Sequence, residues 1–402
     1  MALPRGCLDE ALELLQLNGI ETKLEDHREH GIGMNIRFLG TLRDDQQRAV
    51  DALLPHDIGV LAATTAFGKT VVAAALTARR SCSTLILVHR RELLDQWIER
   101  LKEFLSVEPG DVGLMGGGRR KLTGRIDVAL IQSLVRNGEA SDLVTGYGQL
   151  IVDECHHLSA ASFELVARRS KARYVLGLSA TVTRKDGHHP IIFMQCGPIR
   201  HRVNPRSQVA RRGFEHRVRV RKTEFALPLE LRQERVPMAA LYVALAQDEQ
   251  RNALIFDDVL TALEAGRSPL VLTERRDHLE MLRGRFKRFA KNLIVLRGGM
   301  AAAERRAAQA ALLSAENEER LVLATGRYLG EGFDDSRLDT LFLVLPISWK
   351  GTLAQYVGRL HRERHDKTEV RVYDYVDSAV PVLARMAAKR KTGYRALGYV
   401  FD

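Results

Sequence analysis

The sequence predicts an α/β protein built as two tandem lobes, each around a parallel sheet, with a small N-terminal appendage. Three observations carry this. Short apolar runs alternate with segments of helical spacing twice along the 402 residues. In the first series an apolar run, Ile58 to Ala62, hands over through a short loop to a helix that opens near Lys69. Between the two series lies a stretch from Arg200 to Lys222 with nine Lys or Arg residues against Glu215 as its one acid. The expected organisation is an appendage at 1–40, a first lobe at 41–200, a basic linker at 201–237, a second lobe at 238–380 and a tail helix at 381–402.

Composition narrows the function classes. With 45% hydrophobic and 28% charged residues the chain can bury sizeable cores. No apolar stretch approaches the ~20 residues of a membrane span, and the start shows no basic-then-apolar signal pattern, so a cytoplasmic protein is expected. The four cysteines (Cys7, Cys82, Cys155, Cys196) are far apart and suggest neither a disulfide framework nor a zinc site. Lys plus Arg exceed Asp plus Glu by 61 to 50, a net +11. That surplus fits a polyanionic partner better than a membrane surface.

In chain order, 8–17 has helical spacing and 34–39 alternates like a strand. Thr41-Leu-Arg-Asp-Asp-Gln-Gln47 follows, where the amide of Gln46, with Arg43 beside it, could both donate to and accept from an adenine edge. Leu61-Ala-Ala-Thr-Thr-Ala-Phe-Gly-Lys-Thr70 places Thr65, Ala66, Phe67 and Gly68 in a strand-to-helix loop whose N–H groups and helix dipole favour phosphate. Lys69 can reach the β- and γ-phosphates and Thr70 can ligate Mg²⁺, although Ala63 stands where the phosphate-loop pattern begins with Gly. Thr84 to Val88 is a second buried strand, running into the donors His89, Arg90 and Arg91. A solvated helix turn is the ordinary alternative there, and Trp97, at helical spacing with Leu93, Leu94 and Leu101, reads as core. Gly116-Gly-Gly-Arg-Arg-Lys121 leaves the N–H groups of Gly116 and Gly117 open to a strand of nucleic acid, or is a plain surface loop. The strand at 126–131 leads to Gln132 and Ser133.

Gln149-Leu-Ile-Val-Asp-Glu-Cys-His156 ends a buried strand in adjacent acids. Asp153 is placed to hold Mg²⁺ and Glu154 to orient and deprotonate a water attacking ATP. Cys155 reads as a packed thiol and His156 as a link between the nucleotide and the rest of the site. In the second half, 239–263 reads as one long helix, 270–273, 293–296, 320–325, 338–345 and 370–376 as strands, and 352–361 as a helix.

Asp153-Glu-Cys-His156 resembles the D-E-x-H box of superfamily 2 helicases and translocases, and other blocks match that family in its own order. Ala63 to Thr70 is similar to its A-x-T-G-x-G-K-T motif I, with Ala66 and Phe67 departing from the pattern. Leu42-Arg-x-x-Gln46 resembles its adenine motif, Ser179-Ala-Thr181 its motif III, Gly330-Glu-Gly-Phe-Asp334 its motif V, and Gln355-Tyr-Val-Gly-Arg-Leu-His-Arg362 its motif VI. Leu87 to Trp97 and Gly177 to Asp186 look like the XPB branch, with Arg184-Lys-Asp186 where XPB proteins carry R-E-D. Leu3-Pro-Arg-Gly-Cys7 and Gly187 to Pro198 also resemble the helicase module of TOTE-type conflict-system proteins, which implies a primase-like or nuclease component as the kind of protein partner.

The resemblance implies two RecA-like (P-loop NTPase) domains with Mg-ATP between them. Lys69, Thr70, Asp153 and Glu154 would serve from one side, and Gln355, Arg359, Arg362 and Asp334 from the other. Arg359 and Arg362, three apart on one helical face, would neutralise the transferring γ-phosphoryl group. Nucleic acid would meet His89, Arg90, Arg91, Gly116, Gly117, Gln132, Ser133, Arg184, Arg275, Arg297, Gly298 and Thr325. DNA is the expected partner. An RNA-remodelling ATPase and an ATP-clamped binding module are the alternatives.

Overall fold

Apolar runs too short for helices and shielded on both faces form parallel sheets, because helices from the crossover connections cover each side. The computed structural model describes residues 3–155, 160–180, 190–231, 236–314, 318–329, 335–347 and 350–402. It divides into two units, Met1–Val203 and Asn204–Asp402. Among the described residues no helix is long and apolar enough to cross a membrane.

The first unit contains β1 (Ile58–Ala62), β2 (Thr84–Val88), β3 (Val112–Gly116), β4 (Arg119–Lys121), β5 (Ile126–Leu130), a separate hairpin of β6 (Val135–Arg136) and β7 (Glu139–Ala140), then β8 (Gln149–Val152), β9 (Tyr174–Ser179) and β10 (Ile199–Arg202). The main sheet runs β10-β1-β9-β8-β2-β5-β3-β4, parallel except for β4, which turns back antiparallel on β3. β2 and β8 are buried throughout. One face packs on Val72, Leu76, Leu94, Trp97 and Leu101, the other on Phe163, Val166 and Ile192.

The appendage lies against this unit. The helix Leu8–Leu17 forms as expected. Residues 34–39 do not make the expected strand: Met34 and Ile36 are buried in the core, but Gly33 and Phe38 make only isolated bridges to Cys82 and Leu105. The alternation is real, yet the backbone finds no continuous ladder partner.

The second unit contains β11 (Glu215–Lys222), β12 (Pro269–Thr273), β13 (Leu293–Leu296), β14 (Leu321–Thr325), β15 (Thr340–Leu343), β16 (Glu369–Val376) and β17 (Val400–Phe401), all parallel in the order β13-β14-β12-β15-β16-β11-β17. The stretch expected as a basic linker thus contributes β11, paired along its whole length with β16. His216 and Val218 point into the core, while Arg217 pairs with Asp402 (3.0 Å) and Arg221 with Asp258 (2.9 Å). Both of these arginines are thus met by acids of their own unit, Asp258 from the helix Glu249–Glu264 and Asp402 just past β17, so a surplus of basic residues in the sequence is not by itself a surface open to phosphate. The long helix expected at 239–263 is two, Met238–Gln247 and Glu249–Glu264, because the Asp248 side chain accepts the N–H of Arg251 and caps the second. The tail helix Pro381–Ala396 is tied to β16 by the buried Arg390–Asp374 pair at 2.7 Å.

Candidate active site

β1 lies between β10 and β9, and its C-terminal end opens into residues 63–68 before the helix Lys69–Arg80 begins. This loop turns through two left-handed residues, Ala66 at φ 65° and Gly68 at φ 89°. A non-glycine residue there costs roughly 1–2 kcal/mol, so the Ala66 departure noted in the sequence is a strained position. Gly68 has no such latitude, because an added Cβ would lie 2.4 Å from Gln46 Nε2.

Two side chains hold the loop from behind. Gln46 Nε2 donates to the Phe67 carbonyl at 2.9 Å and an Arg43 guanidinium nitrogen donates to the same oxygen at 2.8 Å. Gln46 Oε1 accepts the Arg43 N–H at 3.0 Å, and the residue is 3% exposed. The amide expected to donate to and accept from an adenine edge thus uses one donor on the loop and one acceptor site on its own helix start. Gln46→Ala is expected to destabilise the protein by about 1–2 kcal/mol and lower Tm by several degrees. Calorimetry checks this: an unchanged Tm with a raised KM for ATP would return the residue to adenine alone.

At the end of β8, Glu154 reaches across to this loop. Lys69 Nζ lies 3.0 Å from Glu154 Oε1 and donates to the Ala63 carbonyl at 3.3 Å. The Ala180 N–H, just past β9, donates to Glu154 Oε2 at 3.2 Å. Glu154 itself is held at φ 44°, and its N–H donates to Asp153 Oδ1 at 3.0 Å. The second oxygen of Asp153 accepts the indole N–H of Trp97 at 2.8 Å. Burial, and then the charge of Glu154, push the Asp153 carboxyl above the usual carboxylate range, against the opposing pull of Trp97 and Lys69. Ionised Asp153 therefore carries a cost that these partners only partly offset and that fades as the carboxyl takes up a proton at lower pH, and a divalent cation would relieve it.

The donor set fits Mg²⁺. Asp153 at the end of β8 and Thr70 on the first turn of the helix Lys69–Arg80 are oxygen donors, the ligand type Mg²⁺ takes, and among the described residues no cluster of three or more His, Cys, Asp or Glu could hold a metal. Cys155 is fully buried with its thiol pushed well up by burial, in keeping with a packed, unreactive side chain.

The nucleic-acid candidates of the first unit gather at one edge, beyond the C-terminal ends of β2, β3 and β5. The His89 carbonyl accepts Gln132 Nε2 at 3.3 Å, and burial lowers the imidazole pKa, favouring its neutral form. The Arg91 guanidinium lies over the β3–β4 turn so closely that a Cβ on Gly117 would be 2.9 Å from its Nε. Gly116 and Gly117 both take positive φ there. Arg90 precedes the helix Arg91–Phe104, and Ser133 ends the single turn Ile131–Ser133.

In the second unit, Thr325, Arg275, Arg297 and Gly298 sit at the C-terminal ends of neighbouring strands, β14, β12 and β13. Arg275 is paired with Asp277 (2.9 Å), Arg297 lies 3.6 Å from Glu304, and the Gly298 carbonyl accepts from Arg276. Gln355 is buried on the helix Lys350–Val357. That helix stops four residues earlier than expected. Arg359 and Arg362 lie in the turns beyond it, where Arg359 N–H bonds to Tyr356 O (3.1 Å) and Leu360 N–H to Val357 O (3.0 Å). Arg359 and Arg362 therefore do not share an α-helical face as expected. His156, Arg184 and the 330–334 segment with Asp334 lie outside the described residues.

Sequence reasoning missed two links. Trp97, correctly core, also donates a hydrogen bond to Asp153. Tyr356 donates to Glu274 Oε1 at 2.7 Å, joining the end of β12 to the helix of Gln355, and the end of β14 packs so closely on this pair that a Cβ on Gly326 would meet both at 2.2 Å. Neither was legible locally, since the partners lie 56 and 82 residues apart.

Residues 39–184 match the family model described as "Type III restriction enzyme, res subunit". The protein named "Putative ATP-dependent RNA helicase L396" of Acanthamoeba polyphaga mimivirus is 25% identical over 377 residues, 91% of this chain and 70% of the relative. "DNA 3'-5' translocase XPB2" of Sulfurisphaera tokodaii is 35% identical over 161 residues, 40% of this chain and 35% of the relative. The aligned regions thus span between about a third and 70% of these relatives' own lengths. Among solved structures, S. cerevisiae Dbp5 bound to RNA and ADP BeF3 superposes with a TM-score of 0.62 over 90% of each chain at 14% identity, a likeness of fold with two RecA-like domains.

Proposed function

We propose, for a chain that belongs to the superfamily 2 helicases of the XPB-like kind, a DNA-stimulated ATP hydrolase that couples turnover to movement along or remodelling of nucleic acid. The observation that carries the reading is the Lys69–Glu154 contact at 3.0 Å, at the mouth of a left-handed phosphate loop and beside the buried Asp153. Before nucleotide arrives, Glu154 neutralises Lys69. Triphosphate offers Lys69 a stronger anionic partner, and the carboxylate so released can accept a proton from water at the γ-phosphate. Mg²⁺, held by Asp153 and Thr70, would supply charge neutralisation on the phosphate oxygens. Arg359 and Arg362 would supply guanidinium charge, and Ala180, bonded to Glu154, would connect the chemistry to the rest of its unit. The edge formed by His89, Arg91, Gly116, Gly117 and Gln132 reads phosphodiester backbone, so weak sequence preference and steep salt dependence are expected.

The resemblance to XPB2 favours DNA, while the mimiviral relative, matched over nearly the whole chain, keeps RNA as a second reading. Steady-state ATPase assays with duplex DNA, single-stranded DNA and RNA separate them. DNA is expected to raise kcat at least about tenfold above the basal rate, a barrier reduction of about 1.4 kcal/mol, with RNA well below it. Equal or greater stimulation by RNA would transfer the assignment to RNA remodelling. Tight ATP retention without turnover would make the chain a nucleotide-clamped binding module.

A further inference from the structure

The turn that bears Arg359 and Arg362 is gripped by a lysine that none of the motifs includes. Lys367, 9% exposed, lies just before β16. Its Nζ donates to the carbonyls of Arg362 (2.8 Å), Leu338 (2.9 Å) and Leu360 (3.1 Å). An ammonium has three donors and no acceptor, so this cage matches it completely. Two of the three carbonyls belong to the arginine-bearing turn, while the third belongs to the approach to β15, a strand of the central sheet. The same Nζ lies 5.6 Å from the Phe214 ring, which closes the cage on the side of β11.

We infer that Lys367 is a positioning residue for the arginine turn: by drawing the Leu360 and Arg362 carbonyls onto a sheet-anchored point, it fixes where the Arg359 and Arg362 side chains start. The inference rests on the reading that those arginines act on the γ-phosphate. A neutral amine has two N–H groups for three carbonyls, so deprotonation releases one of them and loosens the turn.

The surroundings place that event within reach. Burial lowers the Lys367 pKa to about 8; Asp339, Asp335 and Asp366 raise it and Arg364 lowers it. His361 on the turn and His216 on β11 also face the cage, near Arg212. Burial pushes both imidazoles down, His216 to about 4 and His361 well below its usual value, so neither changes charge above neutral pH. Stability and activity should then move in opposite directions. Between about 8 and the unfolded value near 10.5, the unfolded chain holds a proton that the folded chain has lost, so this group makes folding more favourable as pH rises. A fall in activity over the same window cannot be attributed to unfolding caused by this group.

The test is kcat at saturating ATP and DNA across pH 6.5–9.5, measured on the full chain as wild type, Lys367→Met and Lys367→Arg. Wild-type kcat is expected to fall about tenfold or more as pH rises through about 8, with ATP affinity changing less than about twofold. Lys367→Met should be slow at every pH and show no alkaline limb, whereas Lys367→Arg, charged throughout, should recover much of kcat and also lack the limb. A flat wild-type profile, or full kcat in Lys367→Met, overturns the inference. Should Lys367→Met fail to fold, an alkaline limb that persists unchanged in Lys367→Arg overturns it equally. Arg362→Ala, assayed alongside, separates the two levels. Full kcat in that variant defeats the arginine reading itself. Its loss together with full kcat in Lys367→Met defeats only the role of Lys367.

Discussion

Replacing Arg362 by alanine is expected to lower kcat for ATP hydrolysis by about 10³–10⁵, the range typical when a guanidinium that stabilises a transferring phosphoryl group is removed. ATP affinity should change little, because the charge is needed most as negative charge redistributes in the transition state. The structure adds a reason to expect a sharp effect. The Arg362 carbonyl is one of three bound by Lys367, so the backbone that carries this side chain is defined rather than frayed. Measuring kcat and nucleotide Kd on the same preparation checks the prediction. A wild-type kcat would show that the phosphoryl charge is met elsewhere, with Arg359 the next residue to change.

Glu154→Gln should abolish multiple turnover, with kcat lower by about 10²–10⁴, while ATP still binds. The substitution keeps the side-chain shape and the acceptor oxygen that Ala180 uses, and removes only the charge and the proton affinity. Two consequences follow from the geometry. Lys69 loses its ionic partner at 3.0 Å, so triphosphate no longer competes with a carboxylate and affinity should hold or rise. Asp153, whose carboxyl is raised in part by the neighbouring Glu154 charge, should ionise more readily. Sustained hydrolysis in this variant would remove Glu154 as the base. Weakened ATP binding would mean that the acid organises the loop through Lys69 rather than acting on water.

Much of the candidate phosphate loop of the first unit is legible in the chain because its signals are local. An apolar run ending in a small-residue loop, followed by Lys69 and Thr70, needs only strand, turn and helix-start chemistry to be recognised. The paired acids after β8 follow in the same way. The basic stretch around β11 shows the limit. Its alternation announces a strand, but a count of charges cannot tell arginines that face phosphate from arginines that pair with Asp402 and Asp258 of their own unit. The same limit moved Arg359 and Arg362 off the expected helix: the end of a helix is set by which carbonyls find partners, and here some of those partners are supplied by Lys367.

The sequence by itself determined where the strands, the loop, the acids and the arginines would lie along the chain, since apolar period and turn residues act over a few neighbours. Only the tertiary structure decided what each polar group touches. Gln46 holds the Phe67 carbonyl, Trp97 bonds to Asp153, and Lys367 gathers the arginine turn. The physical reason is that burying a polar group is costly until it is paired, and its partner is whichever group the packed core brings within about 3 Å, however distant in sequence.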